Sequence, residues 1–472
     1  MLSFKDLVTS YSTRYHHQQS KMATESVEVE TVEKQTVKPS SQTPHVLRNF
    51  KLSLLDQFSP VAYIPFLLFY PNVVSTTTSN VSTHSVKAIN ERYQHLIKSL
   101  SEILTHYYPL AGRIKGNVVI VCNDDGAEFV KAHVKCSLSE ILEHPDAEML
   151  RRLLPIEPES TEAVTGKLLA VQVNLFECGG MAIGLTISHK IADASTVCTF
   201  INSWAATAHK SNKVMLPQFG VASLFPPLDF SDSEPPSMIY VKEKCTTRRY
   251  VFDDSKISVL QSKVSSSLVP KPTRVEAISA LIWKCAIEAS PKSSSNTLGS
   301  SPVRPSIFHQ AVNLRKRVTP PLPDNLAGNL LVLSTSKAEE STTSVFDLKD
   351  LVAKIRAGIE EMKECATKLV DPNEAMQVLT EYRTNLMKDQ EIETYSCTSW
   401  CRFPFYGADF GWGMPSWVSF AGCSVKNLFG FMDKRDCNGI ETWLTLSEES
   451  MALFESKPKL LAYASLNTRV TC

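Results

Sequence analysis

Two apolar segments joined by a glycine turn, with an amphipathic helix directly behind them, constrain the fold most. Residues 171–176 and 182–187 flank a Cys-Gly-Gly turn, which predicts a β-hairpin. Apolar residues then recur at helical spacing over 197–208. A buried hairpin followed at once by a buried helix predicts an α/β protein. Residues 188–195 are the short link between strand and helix, and such links hold side chains rigidly beside cavities.

Other segments repeat these strand and helix patterns. Residues 27–37 alternate as a strand does, and the apolar residues of 93–107 fall on one face of a helix. That helix should end before Pro109, because the residue ahead of a proline disfavours helical geometry. Thr-Arg-Val-Glu at 273–276 matches a capping box that begins a helix. The spacing of 348–362 predicts a further helix.

The length of 472 residues predicts two domains of about 200 residues each. Residues 209–240 lose periodicity and collect five prolines, which indicates a crossover linker. We therefore expect an N-terminal domain over 22–208 and a C-terminal domain over 241–472. Residues 1–21 carry serines and basic residues with a single acid. They are either a targeting segment or, as we favour, a disordered extension ahead of an internal start at Met22.

Charge and cysteine usage exclude several classes of protein. The chain has 49 basic and 49 acidic residues, so no nucleic-acid or membrane-surface partner is indicated. Its longest apolar run, 61–70, is interrupted by Pro65 and is too short to span a bilayer. The 12 cysteines are scattered, and Cys397 and Cys401 lack further ligands at zinc-finger spacing. We expect no metal site and a cytoplasmic location.

The link between strand and helix carries the main chemical signal, His189 with Asp193 four residues later. By spacing alone the pair could equally be a packed histidine and an aspartate that caps the next helix. Its position after a wholly apolar strand favours catalysis, because a rigid, neutral imidazole can act as a general base. Metal-assisted hydrolysis is disfavoured because no third ligand lies nearby.

A second signal is Asp-Phe-Gly-Trp-Gly at 409–413, preceded by Thr-Ser-Trp-Cys-Arg at 398–402. Two glycines beside a tryptophan indicate a tight backbone path around a large ring. We interpret this block as structural and close to the site. Asp409 would then be a buried carboxylate that needs a cationic partner.

Together these motifs resemble the BAHD acyltransferases of plant specialised metabolism, from about Val27 onward and most closely the alkaloid and terpenoid branch. Chance does not produce so many ordered blocks. Met414 departs from the family pattern, in which a basic residue is common there, and residues 1–21 have no counterpart. The matching blocks are 52–57, 108–113, 188–193, 273–280, 312–317, 328–329 and 409–415.

The resemblance implies site residues. It assigns the general base to His189, the aspartate that orients the loop and the histidine to Asp193, and the donors to the tetrahedral oxyanion to Thr398 and Trp400. The residues that it implies to be structural near the site are Asp409, its partner Arg274, Gly411, Trp412 and Gly413.

The resemblance also implies a fold and partners. The fold is two chloramphenicol-acetyltransferase-like α/β domains, each a mixed sheet flanked by helices, with a channel between them. Acyl-CoA, most simply acetyl-CoA, is a co-substrate and no cofactor is bound permanently. The other partner is a small-molecule alcohol, and we expect a monomer. We place the CoA phosphates near Lys271 and Thr273, because helix N-termini attract anions.

We therefore expect an O-acyltransferase that acylates a hydroxyl of an alkaloid or terpenoid directly in a ternary complex. The alternatives are an N-acyltransferase, a longer or aromatic acyl donor, and a catalytically silent binding protein on the same fold. A non-ribosomal condensation domain would need a second histidine and a glycine where Ser188 and Ala194 stand. A serine hydrolase-like enzyme is disfavoured because the chain has no G-x-S-x-G elbow.

Overall fold

The computed structural model describes residues 27–72, 83–228, 244–290, 305–339, 346–368, 371, 374–375, 377–378, 392–422 and 424–470. The N-terminal extension predicted over 1–21 and the alternative start at Met22 lie outside these ranges, as does the linker beyond residue 228. None of the helices in these ranges combines the length and the apolar character that crossing a bilayer requires.

A six-stranded mixed sheet forms the first body of the described chain. Its strands run in the order β1-β6-β7-β8-β3-β13, and only β6 and β7 are parallel neighbours. The predicted hairpin is confirmed: β7 and β8 are antiparallel and buried along their whole length. The strands are β1 (Val29–Val37), β3 (Tyr63–Tyr70), β6 (Ala127–Val134), β7 (Leu169–Phe176), β8 (Met181–Ser188) and β13 (Trp417–Ser419).

Helices pack against this sheet, and the two predicted from periodicity are present. The first, α2, ends at Leu104, ahead of a 3-10 turn that contains Pro109. The second, α6, begins directly after the motif and packs on α2. The helices of this half are α1 (Leu54–Phe58), α2 (Thr83–Leu104), α3 (Leu138–Glu143), α4 (Ala147–Arg152), α5 (Glu162–Thr165), α6 (Ala194–Ala208) and α7 (Val221–Leu224).

The second body is a seven-stranded mixed sheet in the order β11-β10-β12-β14-β15-β9-β16. The strands are β9 (Cys245–Asp253), β10 (Ser306–Asn313), β11 (Leu331–Ala338), β12 (Glu393–Ser399), β14 (Leu428–Asp433), β15 (Gly439–Ser447) and β16 (Ser465–Leu466). A third, small sheet consists of β2 (Asn49–Lys51), β4 (Arg113–Lys115) and β5 (Val119–Val121).

The helices of the second body include both that the sequence predicts. The helix α9 begins with the expected capping box, in which the Thr273 hydroxyl accepts from the backbone N–H of Glu276, and α10 covers the predicted stretch. These helices are α8 (Asp254–Val264), α9 (Arg274–Ala289), α10 (Leu348–Lys368), α11 (Glu448–Glu455) and α12 (Pro458–Leu461).

The C-terminal half does not stay within the second sheet, so the expected unit 241–472 contributes strands to both sheets. After β12 the chain crosses over, and β13 adds to the first sheet beside β3. The reason is apolar burial: Phe405, Phe410 and Trp417 of this crossing lie in the first hydrophobic core. The motif at 409–413 therefore packs with the N-terminal body.

A buried ion pair fastens β13 to the second sheet. Arg249 on β9 donates to both carboxylate oxygens of Glu441 on β15, at 2.8 and 2.7 Å. The indole N–H of Trp417 on β13 donates to the same carboxylate at 3.1 Å. One carboxylate thus joins three strands from both sheets. Breaking such a pair strongly destabilises the fold, because removing one partner leaves an uncompensated buried charge.

We expect Glu441→Ala to lower the free energy of unfolding by about 3–5 kcal/mol, because the Arg249 charge stays buried without its partner. The control is Asp324→Ala, which breaks an exposed pair with Lys316 and should cost about 0–1 kcal/mol. Urea unfolding at pH 7 measures both. Equal losses for the two variants would contradict this role for Glu441.

Candidate active site

His189 lies at the end of a fully buried strand, at the junction of the two bodies. Its backbone N–H donates to the carbonyl of Ala62 at 2.9 Å, which continues the pairing of β8 with β3. The chain then turns, and α6 begins at Ala194. The histidine is therefore fixed by a sheet on one side and a helix on the other, and its side chain remains partly exposed.

Asp193 serves both as a helix cap and as one half of a buried ion pair. Its carboxylate accepts from the backbone N–H of Thr196 at 2.8 Å and from that of Leu330 at 3.0 Å. Arg315 donates to the two carboxylate oxygens at 2.7 and 3.2 Å, and both side chains are buried. Burial alone would raise the pKa of Asp193, but Arg315 and the backbone donors hold it below its ordinary value.

Arg315 extends this contact into the second body. Its guanidinium also donates to the carbonyls of Leu326 and Gly328, at 2.7 and 3.3 Å for one nitrogen. The ion pair therefore joins the loop after His189 to the loop that leads into β11. The sequence analysis assigned no role to Arg315. The residue lies in the matching block 312–317, and that block was the only sequence feature that pointed to it.

The imidazole of His189 contacts an asparagine rather than Asp193, the residue that was expected to orient the histidine. Asn329 Oδ1 lies 3.1 Å from His189 Nδ1, and Asn329 Nδ2 donates to the His189 carbonyl at 2.7 Å. A carbonyl only accepts, so the amide nitrogen must face it and the amide oxygen must face the ring. The proton is therefore on Nδ1, and Nε2 is left with its lone pair.

The electrostatic surroundings keep this imidazole neutral. Burial lowers the pKa of His189, while Asp193 and Asn329 act in the opposite direction with smaller effect. A neutral ring with a protonated Nδ1 can accept a proton at Nε2, which is the requirement for a general base. Asn329 belongs to the matching block 328–329, so sequence alone pointed to the residue but not to its contact.

Thr398 and Trp400, the expected oxyanion donors, lie at the end of β12 and contact each other. The Trp400 indole N–H donates to the Thr398 hydroxyl oxygen at 3.2 Å. The Trp400 ring is buried and stacks on Phe66 of β3, with ring centroids 5.9 Å apart. Because the indole proton is already donated to Thr398, only the Thr398 hydroxyl, of these two groups, can still donate a proton to an oxyanion.

The expected pair of Asp409 and Arg274 does not form. Arg274 donates to Asp433 at the end of β14 at 2.8 Å, and to the carbonyl of Cys437 in the β14–β15 turn at 3.3 Å. Asp409 packs with the first body and forms no ion pair with Arg274, and at about 30% exposure its side chain is not deeply buried. The imidazole of His209 lies beside it, with Nδ1 3.7 Å from Asp409 Oδ1.

Backbone amides take the place of the missing cation. Asp409 Oδ1 accepts from the N–H groups of Gly411 and Gly413, at 2.8 and 2.9 Å. Both glycines have positive φ, +106° and +102°, which side chains other than hydrogen rarely adopt. This turn presents Trp412 to Phe410, with ring centroids 5.7 Å apart, and to Arg92 at 5.5 Å. Partial burial raises the pKa of Asp409, yet the two amides lower it overall.

The expected contacts of CoA stay predictions. At the start of α9 the Thr273 N–H already donates to the Glu276 carboxylate at 2.7 Å. Arg356 pairs with that carboxylate in turn. An anion of the chain itself therefore occupies the helix terminus close to Lys271. Among the residues that the structure describes, no group of histidines, cysteines and acids could hold a metal ion.

Comparisons with known proteins agree on one family. The family model described as the transferase family matches residues 27–461. The chain is 37% identical to (13S,14R)-1,13-dihydroxy-N-methylcanadine 13-O-acetyltransferase AT1 of Papaver somniferum, over 91% of this chain and 97% of that protein. It is 34% identical to salutaridinol 7-O-acetyltransferase of the same plant, over 91% and 97%.

A solved structure is similar over the same extent. The crystal structure of vinorine synthase, an enzyme of Rauvolfia serpentina, superposes with a TM-score of 0.79 and 35% identity. The match covers 94% of this chain and all of that one. It confirms the expected α/β fold with two sheet-bearing bodies.

We expect a double-mutant cycle to separate the observed ion pair from the expected one. Arg274→Ala and Asp433→Ala should couple by at least about 0.5 kcal/mol in thermal unfolding, because the two side chains touch. Arg274→Ala and Asp409→Ala should add to within about 0.3–0.5 kcal/mol, because the two side chains have different partners and no contact joins them. A coupling energy between Arg274 and Asp409 larger than the one between Arg274 and Asp433 would contradict the assignment of Asp433 as the partner of Arg274.

Proposed function

The chain belongs to the transferase family and is an acyltransferase, and on that premise we propose that it transfers an acetyl group from acetyl-CoA to a hydroxyl of a plant alkaloid or terpenoid. The names of its relatives support the substrate class, since two of them are O-acetyltransferases of named alcohols in Papaver somniferum. Acyl-CoA is then a co-substrate that is consumed in each turnover.

The observation that carries the proposal is the state of His189. Its Nδ1–H is held by Asn329 and its ring is kept neutral by burial. Nε2 takes the proton from the acceptor hydroxyl while that oxygen attacks the thioester carbonyl carbon. The tetrahedral oxyanion accepts a hydrogen bond from a neutral donor such as Thr398. Collapse breaks the carbon–sulfur bond, and the imidazolium returns its proton to the leaving thiolate.

Direct transfer is favoured because the neighbouring side chains are poor nucleophiles. The hydroxyl of Ser188 is buried and donates to the carbonyl of Ala163 at 2.7 Å, on the opposite face of the strand from His189. Burial raises the pKa of the Cys198 thiol to about 12, so it is not a thiolate at neutral pH. Both substrates are then bound together in a ternary complex.

A monomer in the cytoplasm is part of the same proposal. No disulfide bond forms among the cysteines that the structure describes. Scattered cysteines without disulfides are typical of proteins in reducing compartments. Size-exclusion chromatography with light scattering tests the monomer, and a fluorescent fusion of the full chain tests the location.

We expect His189→Ala to lower kcat by about 10²–10⁴-fold with little change in thermal stability, because the general base is lost and the loop is still held by Asp193. The assay is release of free CoA thiol from acetyl-CoA in the presence of a panel of alkaloid and terpenoid alcohols. The matched control is His209→Ala, which alters an exposed histidine outside the site.

An unchanged kcat in folded His189→Ala would contradict the proposal. So would an acetyl adduct on the wild-type chain, seen by intact-mass spectrometry, that forms and decays at the rate of turnover. Release of thiol without any acceptor would indicate hydrolysis of acetyl-CoA. Release with amines but with none of the alcohols would indicate N-acylation.

A further inference from the structure

Asp56 is buried, and its carboxylate accepts more hydrogen bonds than the cap of its own helix requires. It is the third residue of α1, and its Oδ2 accepts from the N–H and the hydroxyl of Ser53, at 2.9 and 2.6 Å. Those contacts complete the capping box that begins the helix. Its other oxygen, Oδ1, faces away from α1 and toward the second half of the chain.

That second oxygen holds Asn329 by two donors at once. Oδ1 of Asp56 accepts from the Asn329 backbone N–H at 2.8 Å and from its side-chain Nδ2 at 2.9 Å. Both residues are almost completely buried. Four donors therefore converge on the carboxylate of Asp56, and a carboxyl proton would have to face one of them. Burial raises the pKa of Asp56, and these hydrogen bonds act against that rise.

The carboxylate determines which way round the Asn329 amide sits. In the observed orientation Nδ2 lies between two acceptors, Asp56 Oδ1 and the His189 carbonyl, and Oδ1 faces the His189 ring. A reversed amide would place its oxygen against both acceptors without any proton between them. It would also direct an N–H at Nδ1 of the ring and thereby put the ring proton on Nε2.

Lys190, the residue after His189, fixes the helix that carries Asp56. Its buried ammonium donates to the carbonyls of Gln57 and Ser59, at 2.8 and 2.9 Å, at the C-terminal end of α1. A cation there also interacts favourably with the terminal carbonyls of the helix. Burial lowers the pKa of Lys190 to about 8, and Asp56 acts to raise it. The histidine loop and α1 are thus joined twice, through Asn329 and through Lys190.

We propose that Asp56 is a positioning residue which, through Asn329, keeps the proton of His189 on Nδ1 and leaves Nε2 as the base. The sequence blocks 52–57 and 328–329, which had no assigned role, meet at this contact. The inference rests on the proposed function of His189 as general base. The carboxylate touches neither substrate, and its effect on the reaction passes through the amide.

The experiment compares Asp56→Asn with wild type by two independent measurements. An amide at position 56 can donate to Asn329, so it removes one of the two acceptors that oppose the reversed amide and raises the population of the ring tautomer protonated at Nε2. We expect kcat to fall about 10-fold or more, which corresponds to about 1.4 kcal/mol, while KM for acetyl-CoA changes less than about 3-fold. Imidazole ¹⁵N chemical shifts of histidine-labelled protein should report Nδ1–H in wild type and a shift of the tautomer population toward Nε2–H in the variant, with His189→Ala used to assign the signal.

Ser53→Ala is the matched control, because it removes a hydrogen bond from the same carboxylate without touching Asn329. It should lower the midpoint of thermal unfolding, as the loss of a helix cap does, with kcat within about 3-fold of wild type. Should Asp56→Asn fail to fold, Asn329→Ala replaces it. In that variant Asp56 stays paired with the backbone N–H of residue 329, and the ring should populate both tautomers with a lower kcat.

A wild-type ring protonated on Nε2 would overturn the inference. Unchanged kcat and an unchanged Nδ1–H signal in Asp56→Asn, or in Asn329→Ala as its substitute, would overturn it as well. The ¹⁵N measurement does not depend on turnover, so a failure of the proposed function is distinguishable from a failure of this inference. In that case the tautomer still switches, whereas His189→Ala keeps the rate of wild type.

Discussion

The buried ion pair between Asp193 and Arg315 is the contact on which the site depends. It joins the loop after His189, which belongs to the first sheet, to the loop that leads into β11 of the second. The histidine itself contributes nothing to this bond. Because taking two charges out of water is costly, the pair is stable only with its additional partners, the backbone N–H groups and carbonyls that surround it. Those partners come from both bodies, so the pair holds only when the bodies are assembled.

The residues around this pair divide the work of the site. Asp193 fixes the backbone of the loop, Asn329 fixes the ring proton, and the β13 crossing brings Trp400 and its neighbours onto the first core. A third apolar cluster, with buried members from α1, α7, β10 and α10, lies at the same junction. Rigid support from several elements is what allows a neutral imidazole to stay in one tautomer at a position partly exposed to substrate.

The sequence predicted the elements better than the contacts between them. The hairpin, α2, α6, α9 and α10 follow from periodicity and capping, which are local properties. The pairing of Arg274 with Asp409 was wrong because it depends on how distant segments pack, and there two glycine amides satisfied the carboxylate instead. The addition of β13 to the first sheet, rather than to the second, was not predicted for the same reason. Asp56, Asn329 and Arg315 lay in recognised blocks, yet only the structure brings them to His189 and Asp193.

The central claim, that a neutral His189 acts as the base, is tested most directly by the pH dependence of kcat/KM of the wild-type enzyme between pH 5 and 9. Burial lowers the pKa of His189, so the neutral and active form should predominate at neutral pH. The account predicts a rate that rises with pH along an acid limb whose apparent pKa lies below about 6.5, then levels off, with no such limb in the residual rate of His189→Ala. A rate independent of pH across this range, or the same limb in His189→Ala, would contradict it.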